Sequence, residues 1–221
     1  MIRTLKPGNQ FLDIGSHFGY YSRLALQLIG QNGLAVSIEP SESTFEILQL
    51  NLKNRPNAIC LNAMAGEKPG LNQFYQFPTL YSEYNTAHPE QFSNSEWFKK
   101  TVHHAYPVIT TTVDEIVIER KLSPAFIKID TEGSEGEVIK GSIQTLSKFP
   151  GIILAMEFLS NARSNQSHTM AARILEEKGF HPFLILNDGT LKECADIENH
   201  LSEKKMDSDN IIFKRHEISI L

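Results

Sequence analysis

One stretch, residues 11–22, constrains the fold of this chain more than any other. Residues 11–14 form a short apolar run that is interrupted only by an acid, which is typical of a buried strand. Gly15 and Gly19 bracket the turn that follows, and from Tyr20 onward apolar residues recur at helical spacing. The stretch therefore predicts a strand, a glycine turn and a helix. Such an element is typical of nucleotide-binding folds, because the free N–H groups at the helix start can hold a ligand.

The glycine spacing distinguishes this turn from a dinucleotide-binding one. A dinucleotide fingerprint has three glycines, one of which lets a pyrophosphate approach the backbone. Here the pattern is Asp-x-Gly-x-x-x-Gly, and Asp13 ends the strand. A carboxylate there would repel a pyrophosphate, but it suits the sulfonium and ammonium of S-adenosylmethionine. Glu39 follows the next apolar run, where such folds place the acid that binds ribose hydroxyls.

Four further motifs lie beyond the glycine turn. They are Ile38-Glu39-Pro40, Asn62-Ala63, the threonine-rich run at residues 108–115, and the block Phe-Ile-Lys-Ile-Asp-Thr-Glu-Gly-Ser-Glu at residues 126–135. With residues 13–21, they make the chain resemble the FkbM-type methyltransferases of the class I S-adenosylmethionine-dependent superfamily. The resemblance covers most of the chain up to Phe158, and the Lys-Ile-Asp-x-Glu-Gly-x-Glu block is its most specific part. The family usually has Asn where this chain has His17.

The order of the predicted elements, strand and helix in repetition with two late strands, favours an α/β fold with a doubly wound, mostly parallel sheet. The resemblance implies seven strands in a Rossmann-like class I methyltransferase fold, with the last strand antiparallel. No linker divides the sequence, so we expect a single S-adenosylmethionine-dependent methyltransferase domain over residues 1–221.

Polar residues follow several of the predicted strands, and ligands bind at the carboxyl ends of strands in a doubly wound sheet. Asp13, Glu39, Asn62, Asp130 and Glu157 occupy such ends, so we expect them to converge on one site. The residues predicted to bind the cofactor are Asp13, Gly15, Ser16, Gly19, Glu39, Asn62, Ala63 and Asp130.

The acids at residues 130–135 allow more than one interpretation. Clustered carboxylates can act as a general base or as ligands for Mg²⁺, although the sequence shows no clear metal-ligand motif. Ser134 and Glu137 also have the spacing of a capping box, and acids are favoured in the first turn of a helix. We predict a functional role for Asp130 and a structural one for Glu135, and leave Glu132 open.

Lys128 and His17 complete the predicted catalytic set with Asp130. Lys128 lies two residues before Asp130, so both point to the same face of their strand. A buried ammonium is costly unless it is paired, which favours an ion pair over a role as a base. His17 lies in the glycine turn, where it can serve as a base, a polar contact or a solvated turn residue.

Residues 78–106 are the least regular part of the sequence and are rich in aromatic residues. A stretch of this length inside a compact domain is usually a functional loop or a disordered one. We predict that it shapes the pocket for the methyl acceptor and contains two short helices, near residues 89–92 and 95–102. By the resemblance, the acceptor is a hydroxyl of a sugar, glycan or natural product.

Composition argues against several other classes of protein. The formal net charge of -5 does not favour nucleic-acid binding, and the two cysteines lack metal or disulfide spacing. No apolar run reaches the roughly 20 residues of a membrane span, and no signal peptide is visible, so a cytoplasmic location is expected. Almost nothing precedes the glycine turn, whereas relatives commonly carry helices there that cover the active site.

Two other functions fit parts of the sequence. A nicotinamide-dependent oxidoreductase shares the fold and the ribose-binding acid, but the glycine spacing and Asp13 argue against it. A non-catalytic partner subunit with the same fold is consistent with His17 and with the short segment before the turn.

Overall fold

A large, mostly parallel sheet runs through the centre of the structure, a computed structural model that describes residues 1–163 and 165–216. The strands are β1 (Gln10–Ile14), β2 (Leu34–Ile38), β3 (Ala58–Leu61), β4 (Met64–Ala65), β5 (Gly70–Gln76), β6 (His104–Thr111), β7 (Pro124–Ile129), β8 (Ile153–Leu159), β9 (His181–Ile185), β10 (Leu191–Glu193) and β11 (Ser208–Lys214). The helices are α1 (Tyr20–Ile29), α2 (Glu42–Leu52), α3 (Glu96–Lys100), α4 (Val113–Glu119), α5 (Glu135–Lys140), α6 (Ile143–Lys148), α7 (Ser167–Glu177) and α8 (Ile197–Lys204). Residues 164 and 217–221 of the predicted domain lie outside the described part.

The central sheet has the order β3-β2-β1-β7-β8-β11-β9-β10. Its first five strands are parallel, β11 is antiparallel to both neighbours, and β10 pairs antiparallel with β9. The predicted doubly wound α/β fold is therefore confirmed, including the antiparallel last strand. Among the described residues this sheet has eight strands, because β10, which is only three residues long, adds an edge to the seven expected strands. A separate three-stranded sheet has the order β4-β6-β5.

Strand alternation divides the core into two layers. Leu12 and Ile14 of β1 pack into the larger cluster, which includes residues of α4–α8, while Phe11 packs with residues of α1 and α2 on the opposite face. The same alternation places Asp13 beneath α1, and its register partner Lys128 lies beside it on β7. A buried acid and a buried amine thus meet on one face of the sheet.

The segment at residues 78–106 folds into short helical turns before β6 begins. Two 3-10 turns, Thr79–Tyr84 and Pro89–Phe92, are followed by α3, so both predicted short helices are present. None of the helices formed by the described residues is both long and apolar enough to cross a bilayer.

Candidate active site

A cavity of about 310 Å³ opens at the carboxyl ends of the parallel strands β1, β2 and β7. Its walls also include the start of α1, the loops after β3 and β7, and part of the segment at residues 78–106. Of the predicted site residues, Gly15, Ser16, His17, Glu39, Ala63, Lys128 and Asp130 line this cavity, whereas Asp13, Gly19 and Asn62 do not. Strand topology therefore brings together residues from four separate parts of the chain.

The glycine turn is shaped by contacts within the protein. Gly15 has a φ of +73°, and a Cβ on it would lie 1.8 Å from the carbonyl oxygen of Asp130. Gly15 is therefore needed to bring the ends of β1 and β7 together, in addition to any ligand contact. A Cβ on Gly19 would lie 2.6 Å from a methyl group of Leu48, so this second glycine allows α1 to approach α2 instead of lining the cavity.

Asp13 lies behind the cavity wall instead of facing a ligand. It is fully buried, and it accepts a hydrogen bond from the hydroxyl of Ser22 on α1. Its Oδ1 lies 3.9 Å from the ammonium of Lys128. Burial raises the pKa of the Asp13 carboxyl, and the charge of Lys128 opposes that rise. The predicted cationic partner of Asp13 is thus a lysine of the same chain, and the carboxylate holds α1 and Lys128 in place.

Glu39 is almost fully buried, and it lines the cavity where a ribose-binding acid was predicted. Its Oε2 accepts a hydrogen bond from the backbone N–H of His17 at 2.9 Å, and its Oε1 accepts one from that of Ser41 at 3.0 Å. Burial raises the pKa of Glu39 to about 7, although these two hydrogen bonds act to lower it. The carboxylate is thus fixed in orientation, and each oxygen keeps a lone pair for a further donor.

Asn62 supports this site from outside. Its side-chain amide donates to the backbone carbonyls of Glu39 at 2.9 Å and of Pro40 at 3.2 Å. The residue is exposed and forms no part of the cavity wall, whereas the next residue, Ala63, does line it. Asn62 therefore fixes the backbone that carries Glu39, and its direct contact with the cofactor stays a prediction.

Lys128 and Asp130 form the ion pair that their spacing on β7 predicts. The ammonium of Lys128 donates to Oδ2 of Asp130 at 2.8 Å and lies 4.8 Å from the ring centre of Tyr21. Burial alone would lower the pKa of Lys128, but the charges of Asp130 and Asp13 outweigh it and raise the pKa above its ordinary value. A lysine held in its charged form is a poor base, so the geometry assigns Lys128 to orienting Asp130.

His17 links the glycine turn to the segment at residues 78–106. Its φ is +49°, a left-handed conformation in which Asn and His are enriched over most other residues. Its Nε2 lies 2.9 Å from the hydroxyl of Ser82, and its ring packs at 3.8 Å against that of Phe18. Burial lowers the pKa of His17, so the imidazole is neutral at neutral pH. Asn also accepts this left-handed backbone, which agrees with the Asn that the family resemblance implies at this position.

Three carboxylates gather at the inner end of the cavity. Oxygens of Asp130, Glu132 and Glu157 lie within 4.8 Å of one another. Glu132 accepts a hydrogen bond from the guanidinium of Arg163 at 2.8 Å, and burial raises the pKa of Glu132 to about 8 against that attraction. Burial also raises the pKa of Glu157 well above its ordinary value, and the charge of Glu132 adds to the rise. An Mg²⁺ ion here would have to compete with Lys128 and Arg163 for two of the three acids.

Glu135 organises the loop after β7, as its predicted structural role requires. Its Oε1 accepts hydrogen bonds from the N–H and the hydroxyl of Thr131, at 3.1 and 2.8 Å, and from the N–H of Gly133 at 3.2 Å. The predicted capping box of Ser134 and Glu137 is wrong, because the Ser134 side chain makes no cap bond. Glu137 instead accepts a hydrogen bond from Ser167 at 2.6 Å.

Most aromatic residues of the segment at residues 78–106 pack on one another instead of facing the cavity. The ring of Trp97 stacks on Tyr84 at 4.7 Å and on Tyr81 at 5.2 Å, with Phe92 beside it at 5.2 Å. The segment contributes only Ser82, Glu83 and Asn85 to the cavity wall. The aromatic cluster thus lies behind the cavity wall. Within this segment, only the polar residues Ser82, Glu83 and Asn85 are placed to contact an acceptor in the cavity.

Several residues of the site were not picked out from the sequence. Tyr20 and Tyr21 at the start of α1 line the cavity, and Arg163 pairs with one of its acids. The tyrosines directly follow the glycine turn, and this position at the N-terminus of the predicted helix could have indicated that they line the site. Arg163 follows β8 in a short 3-10 turn, and nothing local in the sequence ties it to Glu132.

Comparison with known families agrees with this arrangement. A family model described as the methyltransferase FkbM domain matches residues 13–182, from Asp13 in β1 to the start of β9. The chain belongs to the FkbM methyltransferase family. The family predicted from the sequence motifs is therefore confirmed, and it is a family of S-adenosylmethionine-dependent methyltransferases.

Solved structures show the same fold. The FkbM methyltransferase of Methylobacillus flagellatus KT superposes with a TM-score of 0.55 at 15% identity, covering 96% of this chain and 48% of that one. The chain thus spans about half the length of that FkbM protein. The putative rRNA-methylase of Clostridium thermocellum gives a TM-score of 0.52 at 8% identity, covering 97% and 90% of the two chains. No curated protein shows a significant sequence match.

Family membership also relates the cavity to the motifs of the FkbM family. The turn of Asp13 to Gly19, the acid Glu39 and the block around Asp130 all lie within the matched residues. Except for the threonine-rich run at residues 108–115, each motif on which the resemblance rested contributes residues to the cavity wall.

Proposed function

We propose that this FkbM-family chain transfers a methyl group from S-adenosylmethionine to a hydroxyl oxygen of a sugar, glycan or natural product. The observation that carries the proposal is the Lys128–Asp130 pair at the cavity wall. Asp130 is the more open of two neighbouring acids, with 32% of its side chain exposed against 13% for Glu132. An alcohol needs its proton removed to become a good nucleophile, and an accessible carboxylate can take that proton.

The cofactor half of the site is supported by Glu39 and the glycine turn. The Glu39 carboxylate is buried at the cavity wall with lone pairs available, which suits the two hydroxyls of a ribose. Ser16 and Ala63 line the same region and leave room for a bulky group. S-adenosylmethionine supplies an activated methyl group on a sulfonium centre. The Asp130 carboxylate, 32% exposed at the cavity wall, is an anionic group that can lie near that positive charge.

The proposed chemistry uses the residues at the inner end of the cavity. Bound S-adenosylmethionine would supply the methyl group to the acceptor oxygen, and Asp130 would accept the proton that the hydroxyl loses. Lys128 holds Oδ2 of Asp130 throughout, so the base keeps its position. The neutral imidazole of His17 is a polar contact near this point.

The acceptor side of the cavity is supported by Tyr20, Tyr21 and Glu83. Tyr20 is 74% exposed at the cavity wall, and its ring lies 5.2 Å from that of Tyr21 in an edge-to-face arrangement. Aromatic faces and carboxylates are groups that bind the apolar faces and hydroxyls of sugars. An acidic wall does not suit the phosphates of a nucleic acid, so the proposed acceptor is a small molecule or a glycan.

Titration calorimetry tests the cofactor assignment first. S-adenosylmethionine and S-adenosylhomocysteine should bind, and NAD should not. Glu39→Ala should weaken binding by about ten- to a hundredfold, because charged hydrogen bonds contribute roughly 1.5–3 kcal/mol each. Glu46→Ala, an exposed change on α2, is the matched control. Unchanged affinity in Glu39→Ala would remove this residue from the site.

An acceptor screen then tests the reaction. Sugars, glycans and polyketide alcohols are incubated with S-adenosylmethionine, and S-adenosylhomocysteine is measured by mass spectrometry. Asp130→Asn should cut turnover by roughly two orders of magnitude while KM changes little, the usual contribution of a positioned base. Asp188→Asn, in an exposed turn, is the control. Cofactor binding without turnover on any acceptor would favour the non-catalytic partner subunit instead.

A further inference from the structure

Two histidines and a glutamate meet at one edge of the central sheet, outside the cavity. His181 begins β9, Glu193 ends β10, and His216 follows β11 by two residues. Glu193 pairs with Phe183, and Lys214 pairs with His181, so strand alternation places all three side chains on one face. Residues at diagonal positions are about 7–8 Å apart at their Cα atoms, within reach of long side chains.

The donor atoms of this cluster have the spacing of a tetrahedral metal site. Oε1 of Glu193 lies 3.6 Å from Nδ1 of His181 and 3.4 Å from Nε2 of His216, and one donor atom from each residue lies within 4.8 Å of the others. Zinc bonds of about 2.0–2.1 Å arranged tetrahedrally separate neighbouring donors by about 3.3–3.4 Å. Small side-chain rotations would bring all three donors onto one ion.

We propose that His181, Glu193 and His216 bind one Zn²⁺-type transition-metal ion, with water in the fourth position. Two imidazoles and one carboxylate form a donor set that suits zinc and not magnesium. The side chains of His181 and Glu193 are 43% and 53% exposed, so an ion can enter from solvent. Within residues 1–163 and 165–216, no lysine or arginine lies within 4.0 Å of the Glu193 carboxylate to compete for it.

The same three side chains can form a simpler arrangement, in which protonated histidines pair with Glu193. Lys214 lies on the same face, with its ammonium 4.9 Å from the ring centre of Phe183, and it adds positive charge nearby. A metal ion differs from these pairs in one respect, because it needs both imidazoles in their neutral form. A direct measurement of metal binding therefore separates the two arrangements.

A metal ion here would connect three strands. Glu193 belongs to β10, which is three residues long and lies at the sheet edge, and short edge strands are weakly held. Ligands from β9 and from the residues after β11 would hold it in place. The expected role is structural, because the site lies outside the cavity that contains Asp130.

Binding is tested with the untagged full chain and ZnCl₂. Calorimetry should show one ion bound per chain, and Co²⁺ should give the visible absorption of a tetrahedral site. MgCl₂ should show no binding at this site. Zinc should also raise the melting temperature relative to EDTA-treated protein, because it binds the folded form. Half an ion per chain, or the absence of saturable zinc binding, would overturn the proposal.

Variants locate the site. His216→Ala and Glu193→Gln should each weaken zinc binding by at least the ~10- to 100-fold that loss of a supporting residue costs in metal sites. His104→Ala removes an exposed histidine on β6 and is the matched control. Melting curves in EDTA show whether each variant is folded. If folded His216→Ala and Glu193→Gln both bind zinc like the wild type, the ion lies elsewhere and the proposal is wrong.

Discussion

The carbonyl oxygen of Asp130 occupies the space that a side chain on Gly15 would need, 1.8 Å from the position of its Cβ. The glycine turn and the proposed catalytic acid are therefore in direct backbone contact across β1 and β7. The N–H of Asp130 also donates to the carbonyl of Ile14 at 3.0 Å, which closes the same junction. A change in the turn should consequently move Asp130 as well as disturb cofactor binding.

We predict that Gly15→Ala destabilises the protein by about 1–3 kcal/mol, since overpacking and a strained φ each cost energy of this order. Urea unfolding measures the change, and calorimetry with S-adenosylmethionine should show weaker binding in the fraction that folds. Gly151→Ala is the control, because no atom lies within 4 Å of its Cβ position. Gly33 is unsuitable, since a Cβ there would lie 2.5 Å from Ile29. Equal effects of Gly15→Ala and Gly151→Ala would contradict this account.

Glu39 should make the stability of the cofactor-free protein depend on pH. Its pKa is about 7 in the folded state and 4.5 as the ordinary value, so the folded state binds more protons between these values. Its contribution to stability is therefore greatest below about pH 4.5 and is lost as pH rises to 7. The difference between these two pKa values corresponds to roughly 3 kcal/mol of unfolding free energy.

Glu39→Gln should remove that part of the pH dependence. Urea unfolding of the wild type and the variant at pH 5 and pH 8 measures it, with Glu46→Gln, exposed on α2, as the control. Glu132 and Glu157 also have raised pKa values, so a residual slope is expected. If the difference in unfolding free energy between the two pH values is the same with and without Glu39, its pKa is not raised.

His17 is expected to act as a contact and not as the base. His17→Asn should keep kcat close to the wild-type value, because Asn accepts the left-handed backbone at φ +49°. The bond to Ser82 would be lost, so binding of the acceptor should weaken. His17→Val is the comparison, since a β-branched residue is strained at positive φ. A large fall in kcat for His17→Asn would make the imidazole the base.

Turnover should not depend on added metal. Lys128 and Arg163 already neutralise two of the three acids at the inner end of the cavity, so these acids have less charge to offer Mg²⁺. We expect the same kcat with EDTA as with MgCl₂, and a strong loss in Asp130→Asn under both conditions. Loss of activity in EDTA that MgCl₂ restores would show that Asp130 acts as a metal ligand.

Trp97 and Tyr20 should give opposite results when replaced by alanine. Trp97 is packed among Tyr81, Tyr84 and Phe92, so Trp97→Ala should destabilise the protein by about 2–4 kcal/mol, near the range for buried aromatic residues. Tyr20 is 74% exposed, so Tyr20→Ala should leave the melting temperature nearly unchanged and raise KM for the acceptor. Thermal melts and acceptor titrations measure both. A stable Trp97→Ala protein would mean that this aromatic cluster contributes little.

Local patterns were enough to predict much of this protein. The apolar runs and the glycine turn predicted β1 and α1, and their repetition predicted the doubly wound sheet, because both signals arise from neighbouring residues. The spacing of Lys128 and Asp130 was also sufficient to predict their ion pair, since strand alternation places residues two apart on one face. The motif blocks predicted the FkbM family, which the family match confirms.

Only the tertiary structure decided which of these residues face the cavity. Asp13 lies one residue before the end of β1, and the fold packs α1 over it and gives it Lys128 as a partner. Asn62 supports the backbone at Glu39, and Arg163 reaches Glu132 from a distant part of the sequence. These contacts depend on how strands and helices from separate segments come together. Sequence spacing predicts on which face of a strand a side chain lies, whereas its partner depends on what the fold packs against that face.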